Sequence, residues 1–157
     1  MPVIKGTNSY ATVAEADLYF ADRLDVTAWT SADSTQKGQA LITATAILDD
    51  QRWIGTAVSD SQTLSFPRDG EYFDPRVGAS VLLEGVPTRI LTAVYELAYH
   101  LLNNDNIQDD TGLVDSISIG AISLSTIRRP NLIPGIVKRA IRPLLDVGGN
   151  YSWWRAN

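Results

Sequence analysis

Apolar residues recur at helical spacing in four stretches of this chain and at strand spacing in one. The first helix is predicted over Thr12 to Leu24, where Val13, Ala16, Phe20 and Leu24 share a face with Tyr19 beside them. Thr12 and Glu15 have the spacing of a capping box, in which each side chain satisfies a backbone N–H that the first turn leaves free. Asp17, Asp22 and Arg23 fall where solvent is expected. A polar stretch follows from Thr30 to Gln36, and a second helix is predicted from Thr35 to Arg52. Asp33 or Ser34 is its N-cap, and Leu41, Ala44, Ile47 and Leu48 form its buried stripe. The third pattern is the widest. Pro87 suits a first helical position, and Ile90, Leu91, Val94, Leu97, Ala98, Leu101 and Leu102 cover a broad apolar arc. Arg89, Thr92, Glu96, His100 and Asn103 form a narrow polar stripe on the same helix, which should be the centre of the core. A fourth helix is predicted from Pro134 through Ile136, Val137, Ala140 and Ile141, with Pro143 kinking or ending it.

Between the second and third helices the pattern breaks at Gly55, Pro67, Gly70, Pro75, Gly78 and Gly85, so loops are expected, with one short strand over Leu64 to Phe66. Trp53 and Phe66 should anchor this excursion to the helices. Ser116 to Ser125, SISIGAISLS, is the stretch with strand spacing. Its alternation around Gly120-Ala121 predicts a β-hairpin with a type II′ turn, pairing Ile119 with Ile122 and Ile117 with Leu124. A lone two-stranded ribbon is marginal in water, so its apolar residues are expected to lean on something, such as another copy of the chain. The stretch from Asn103 to Gly112 is polar and acidic and reads as a solvent-facing loop. The expected fold is mainly α: a four-helix-type bundle core, an irregular insertion (about 53–85), a projecting hairpin (about 114–127) and an extended C-terminal tail. All of it fits one domain over 1–157, with the helical core at 8–104, the hairpin arm at 113–127, and the last helix and docking tail at 131–157.

Composition narrows the function classes. The chain has 157 residues and a net charge of −5, which lowers the expectation of nucleic-acid binding because phosphates are gripped by Lys and Arg. There are no cysteines, which removes disulfides, thiolate catalysis and Cys-based zinc sites and fits cytoplasmic synthesis. No apolar run is long enough to span a membrane, and the N-terminal MPVIKGTNSY lacks the apolar core of a secretory signal, so no membrane partner is expected.

The inventory for catalysis is thin. Neither a GxxxxGK[ST] nor a GxGxxG phosphate loop is present, nor a GxSxG elbow. Asp49 and Asp50 are adjacent carboxylates, but Arg52 and solvent are expected to compensate them rather than a metal. Glu96 and the single histidine, His100, lie one turn apart and read as an ordinary helix-surface pair before an acid–base pair. No enzyme activity and no cofactor are expected. The C-terminal third does concentrate cations and aromatics: Arg128, Arg129, Lys138, Arg139 and Arg142, with Tyr151, Trp153 and Trp154.

Several stretches, in order, resemble a family of tailed-bacteriophage head–tail connector, adaptor or head-completion proteins, which includes members labelled DnaT-like single-stranded-DNA-binding. They are NSYATVAEADLYFADRL (8–24), ALITATAILDDQRWIGT (40–56), QTLSFPRDG (62–70), VPTRILTAVYELAYHLL (86–102), the hairpin, and IPGIVKRAIRPLL (133–145). The resemblance implies a structural adaptor in the virion neck. Its subunits would form a ring, a dodecamer, under the portal protein, extend the channel for packaged double-stranded DNA and dock the next neck, stopper or tail protein. Under it, Ile117, Ile119, Ile122 and Leu124 make the subunit interface, and Arg128, Arg129, Tyr151, Trp153, Trp154 and Arg155 dock on the portal. The other label in the same resemblance implies a single-stranded-DNA-binding replication or primosome-like protein, served by the C-terminal cations and aromatics through a basic groove with stacking rings. The adaptor is the expectation carried forward.

Overall fold

A computed structural model describes residues 2–103, 116–119, 122–125 and 133–146. Helix α1, Val13–Ala21, starts at the predicted capping box: Thr12 accepts from the Glu15 backbone N–H, and the Glu15 carboxylate accepts from Thr12 N at 2.8 Å. Such a cap is worth about 1 kcal/mol. A helix this short is unstable alone, and burial of Ala16 and Phe20 holds it. It ends three residues before the predicted Leu24. Asp22 leaves the helical conformation, and Asp25 sits in the left-handed region at φ 55°, where its carbonyl accepts a 2.7 Å hydrogen bond from the Tyr99 hydroxyl. Leu24 is therefore thrown out to 96% exposure instead of joining the core. An unpredicted short helix, α2, Thr27–Ser31, fills that place with Trp29. The indole packs 4.8 Å from Phe20 and donates through Nε1 to Asp17 at 2.8 Å, so Asp17 is a structural acceptor as well as a surface residue.

Helix α3, Ser34–Asp49, is capped by Asp33 with Gln36 returning the bond. Helix α4, Thr88–Asn103, lies at the centre, with Ile90, Ala93, Val94, Leu97 and Ala98 fully buried. It packs on Leu41, Ala44 and Leu48 of α3 and on Val137 and Ile141 of α5, Gly135–Ile141. Each large apolar side chain buried this way contributes about 1.5–3 kcal/mol. Pro143 acts as predicted: α5 stops at Ile141 and tightens into a 3₁₀ turn, Arg142–Leu144.

The insertion is not irregular throughout. It holds two antiparallel ribbons: β1, Thr56–Ala57, with β2, Arg68–Asp69, and β3, Glu71–Asp74, with β4, Ala79–Leu82. Leu64 to Phe66 form no strand. Trp53 and Phe66 are the anchors that were expected, meeting edge to face at 5.2 Å. Arg68 staples the loop by donating to the carbonyls of Ile54, Gly55 and Ser65. Gly55 has φ 71°, and a Cβ there would stand 2.1 Å from the Asp69 carbonyl oxygen, so only glycine fits. Asp49 and Asp50 are not compensated by Arg52, which pairs with Asp146 at 3.6 Å. Asp49 instead accepts from the Tyr10 hydroxyl and from Ser65 N.

The architecture is thus mixed: helices with small antiparallel strand pairs. The expected four-helix-type bundle is corrected, because only α3 and α4 reach 16 residues and three shorter helices pack around them. Strands β5, Ser116–Ile119, and β6, Ile122–Ser125, pair in the predicted register, Ile119 with Ile122 and Ile117 with Leu124. The turn residues Gly120 and Ala121 lie outside the described residues, as do the acidic stretch from Asn104 and the tail from Val147.

Candidate nucleic-acid interface

Four chain segments far apart in sequence send arginines into one groove of about 570 Å³. Arg23 follows α1, Arg76 sits in the β3–β4 turn, Arg89 lies in the first turn of α4, and Arg139 projects from α5. Tyr72 of β3 joins them, and Leu82, Val86, Pro87 and Ile136 supply apolar surface. Glu84 is the one carboxylate in the lining. In a chain of net charge −5, this is a segregation of positive charge onto one face.

Each arginine is held differently. Asp74, 1% exposed, organises two of them. Arg76 donates to it through Nη2 at 2.8 Å, and Arg89 through Nη2 at 2.9 Å. The Arg76 backbone N–H adds a third bond at 2.9 Å. The Arg76 guanidinium, its backbone N–H and the Arg89 guanidinium hold the Asp74 carboxyl well below the usual carboxylate range, against the opposing effect of desolvation. Arg89 Nε is buried and finds no acceptor among the described residues. Arg23 lies over the Tyr19 ring, 4.5 Å from its centroid, donates to the Tyr19 hydroxyl and pairs with Glu96. Arg139 makes no ion pair among the described residues and is exposed. Asp74 and Glu96 offset three of the arginines in part and Glu84 lies in the lining, so the excess positive charge of the groove is small and centres on Arg139.

One sequence expectation changes here. Glu96 is not on a solvated stripe: it is 6% exposed and accepts from Tyr19 at 2.7 Å while pairing with Arg23. Burial lowers the His100 pKa, so the imidazole adds no charge at neutral pH. Arg23 stays exposed, as expected, but is clamped by Tyr19 and Glu96.

Of the cations singled out in the sequence, Lys138, Arg139 and Arg142 stand together on α5 and the turn after it. Arg128, Arg129, Tyr151, Trp153, Trp154 and Arg155 lie outside the described residues, and so do the side chains of Ile117, Ile119, Ile122 and Leu124. Tyr72, Arg76 and the convergence with Arg23 and Arg89 were missed. No spacing links positions 23, 76, 89 and 139, and only the fold brings them together. The faint available signal was an arginine at the head of the central helix, where the macrodipole disfavours a cation unless an acid such as Asp74 holds it.

These features define a small, mainly helical protein with a basic, partly aromatic groove. The family model described as "Putative DnaT-like ssDNA binding protein" matches residues 3–154, and the chain belongs to that family. No curated protein and no solved structure gives a significant match. The match overturns the adaptor expectation, and with it the dodecameric ring, the portal and neck or tail partners, and the passive channel for double-stranded DNA: the family is described by single-stranded-DNA binding. The physical error lay in averaging charge over the chain. A net of −5 says nothing about a groove into which four arginines converge.

Proposed function

We propose that this protein binds single-stranded DNA in the arginine-lined groove and works by binding rather than by catalysis. One observation carries the reading: Arg23, Arg76, Arg89 and Arg139 converge with Tyr72 on one concave surface of an acidic chain. Sequence-independent binding of single strands uses this combination, in which cations track the backbone and rings stack on bases. A stacked base contributes about 1–3 kcal/mol, and Tyr72, half-buried in the lining with its hydroxyl donating to Asp74 at 3.4 Å, is the aromatic side chain of the groove. The description of the family to which the chain belongs supports the same reading.

The test is fluorescence anisotropy with a labelled single-stranded oligonucleotide at two or more salt concentrations. Affinity is expected to fall with salt, with a log–log slope near −3 if all four arginines meet phosphates, at about 0.7 per contact. Arg139→Glu, at an exposed position in the last turn of α5, should weaken binding at least about tenfold with only a small fall in the thermal midpoint from the helix dipole. Absence of salt-sensitive binding by the wild-type protein would overturn the proposal.

A further inference from the structure

We infer that the nucleic-acid path does not end at the first groove but crosses α5 into a second one, and that Lys138 and Arg142 are binding residues of that extension. The inference rests on the binding reading above and adds a second site to it. A separate groove of about 370 Å³ lies on the other flank of α5, lined by Gln51, Ile133, Lys138, Ile141, Arg142 and Leu145. Arg139 lines both grooves. Helical geometry explains how. At 3.6 residues per turn, Lys138, Arg142 and Arg139 fall within an arc of about 100°, with Arg139 at one margin. Ile136 and Ala140, beyond that margin, face the first groove, while Ile141, beyond the other, faces the second. Val137 and Ile141 tie the helix to the core on the remaining side. The crest between the grooves is therefore cationic, and all three of its charged residues are exposed.

The chemistry of the two grooves is alike: cations at the edge and apolar surface below. Asp146, the carboxylate next to Leu145, pairs with Arg52 at 3.6 Å. A flexible polyanion with apolar bases fits such a pair of grooves, because phosphates ride the crest while bases turn down on either side. The ordinary alternative is that Lys138 and Arg142 serve only the α5 macrodipole, which favours cations in a last turn. The two roles differ in what they affect. A dipole role shows in stability alone, whereas a path role shows in how affinity grows with strand length.

The experiment compares oligo-dT of about 4 and about 12 nucleotides, spanning the range of single-strand sites, on wild type, Lys138→Gln/Arg142→Gln and Arg139→Glu, with urea denaturation of each variant. Wild type should bind the longer strand much more tightly. The double variant should lose about tenfold for the longer strand, with a salt slope shallower by about 1.4 for two lost contacts, and bind the shorter strand as wild type does. Arg139→Glu should weaken both lengths. Equal losses for both lengths, or lost stability with unchanged binding, would overturn the inference while leaving the first groove standing. If wild type binds neither length, the binding reading itself falls.

Discussion

Two carboxylates, Asp49 and Asp74, show how the same group serves opposite ends in this molecule. Asp49 is half-buried at the end of α3 and meets neutral donors, the Tyr10 hydroxyl and the Ser65 N–H. Tyr10, 1% exposed, in turn accepts from Phe66 N at 3.1 Å, and its ring meets Phe66 edge to face. This closes a polar nucleus that ties the N-terminal segment to the insertion, with the carboxylate held by hydrogen bonds from neutral groups. Asp74 is more deeply buried but meets two guanidinium groups, Arg76 and Arg89, whose remaining donors lie along the groove. The first carboxylate completes a structure. The second spreads positive charge over a surface. Burial alone does not separate the two roles; the charge of the donors does.

The largest expected effect breaks the first region without touching the second. Tyr10→Phe removes one hydroxyl but leaves the Asp49 carboxylate short of a donor and Phe66 N–H without an acceptor. An unsatisfied buried group costs about 1–3 kcal/mol, so urea denaturation should show a loss of about 2–3 kcal/mol. The folded variant should bind single-stranded DNA as wild type does. Weaker binding in the folded state would mean that the two regions are mechanically coupled.

Asp74→Asn has a smaller and less intuitive consequence. It lowers the melting temperature, because two arginines lose their partner, but it also removes a negative charge from beneath the groove. Binding should tighten a few-fold, and the salt slope should steepen by roughly 0.7, the increment for one more phosphate contact on a single strand. Weaker binding instead would show that Asp74 acts mainly by aiming Arg76 and Arg89.

The legibility of this fold follows the same division between local and convergent features. Thr12 with Glu15, and Asp33 with Gln36, announce helix starts because a cap is settled within four residues. Pro143 and the 116–125 alternation are equally local, and the helix end and strand register match them. Leu24 was misread because a distant hydroxyl, Tyr99, holds the turn at Asp25 that ends α1 early. Helix α2 escaped notice because its five residues have no periodicity and no side-chain cap; only the contact of Trp29 with Phe20 explains it. The β3–β4 ribbon was hidden by Pro75 and Gly78, which form its turn rather than breaking it. The groove was the least legible feature, since it depends on four arginines whose positions share no period.

The smallest effect is in pH dependence, and it separates the two carboxylates by sign. Burial raises the Asp49 pKa, outweighing its hydrogen bonds from Tyr10 and Ser65. Its contribution to stability is therefore fully present below the ordinary value of 3.8 and is lost as pH rises through the raised pKa. Asp74 is shifted the other way, by Arg76 first and Arg89 after it, so its contribution is present above 3.8 and is lost as pH falls toward its depressed pKa. Stability measured from pH 2.5 to pH 7 on wild type, Asp49→Asn and Asp74→Asn yields two difference curves. The advantage of wild type over Asp74→Asn should shrink as the solution is acidified. Relative to Asp49→Asn, wild type should do best at the acid end and lose ground as pH rises. Parallel curves would mean that the surroundings of the two carboxylates do not act in opposite directions, and the contrast drawn between a carboxylate among neutral donors and one between guanidinium groups would have no electrostatic basis.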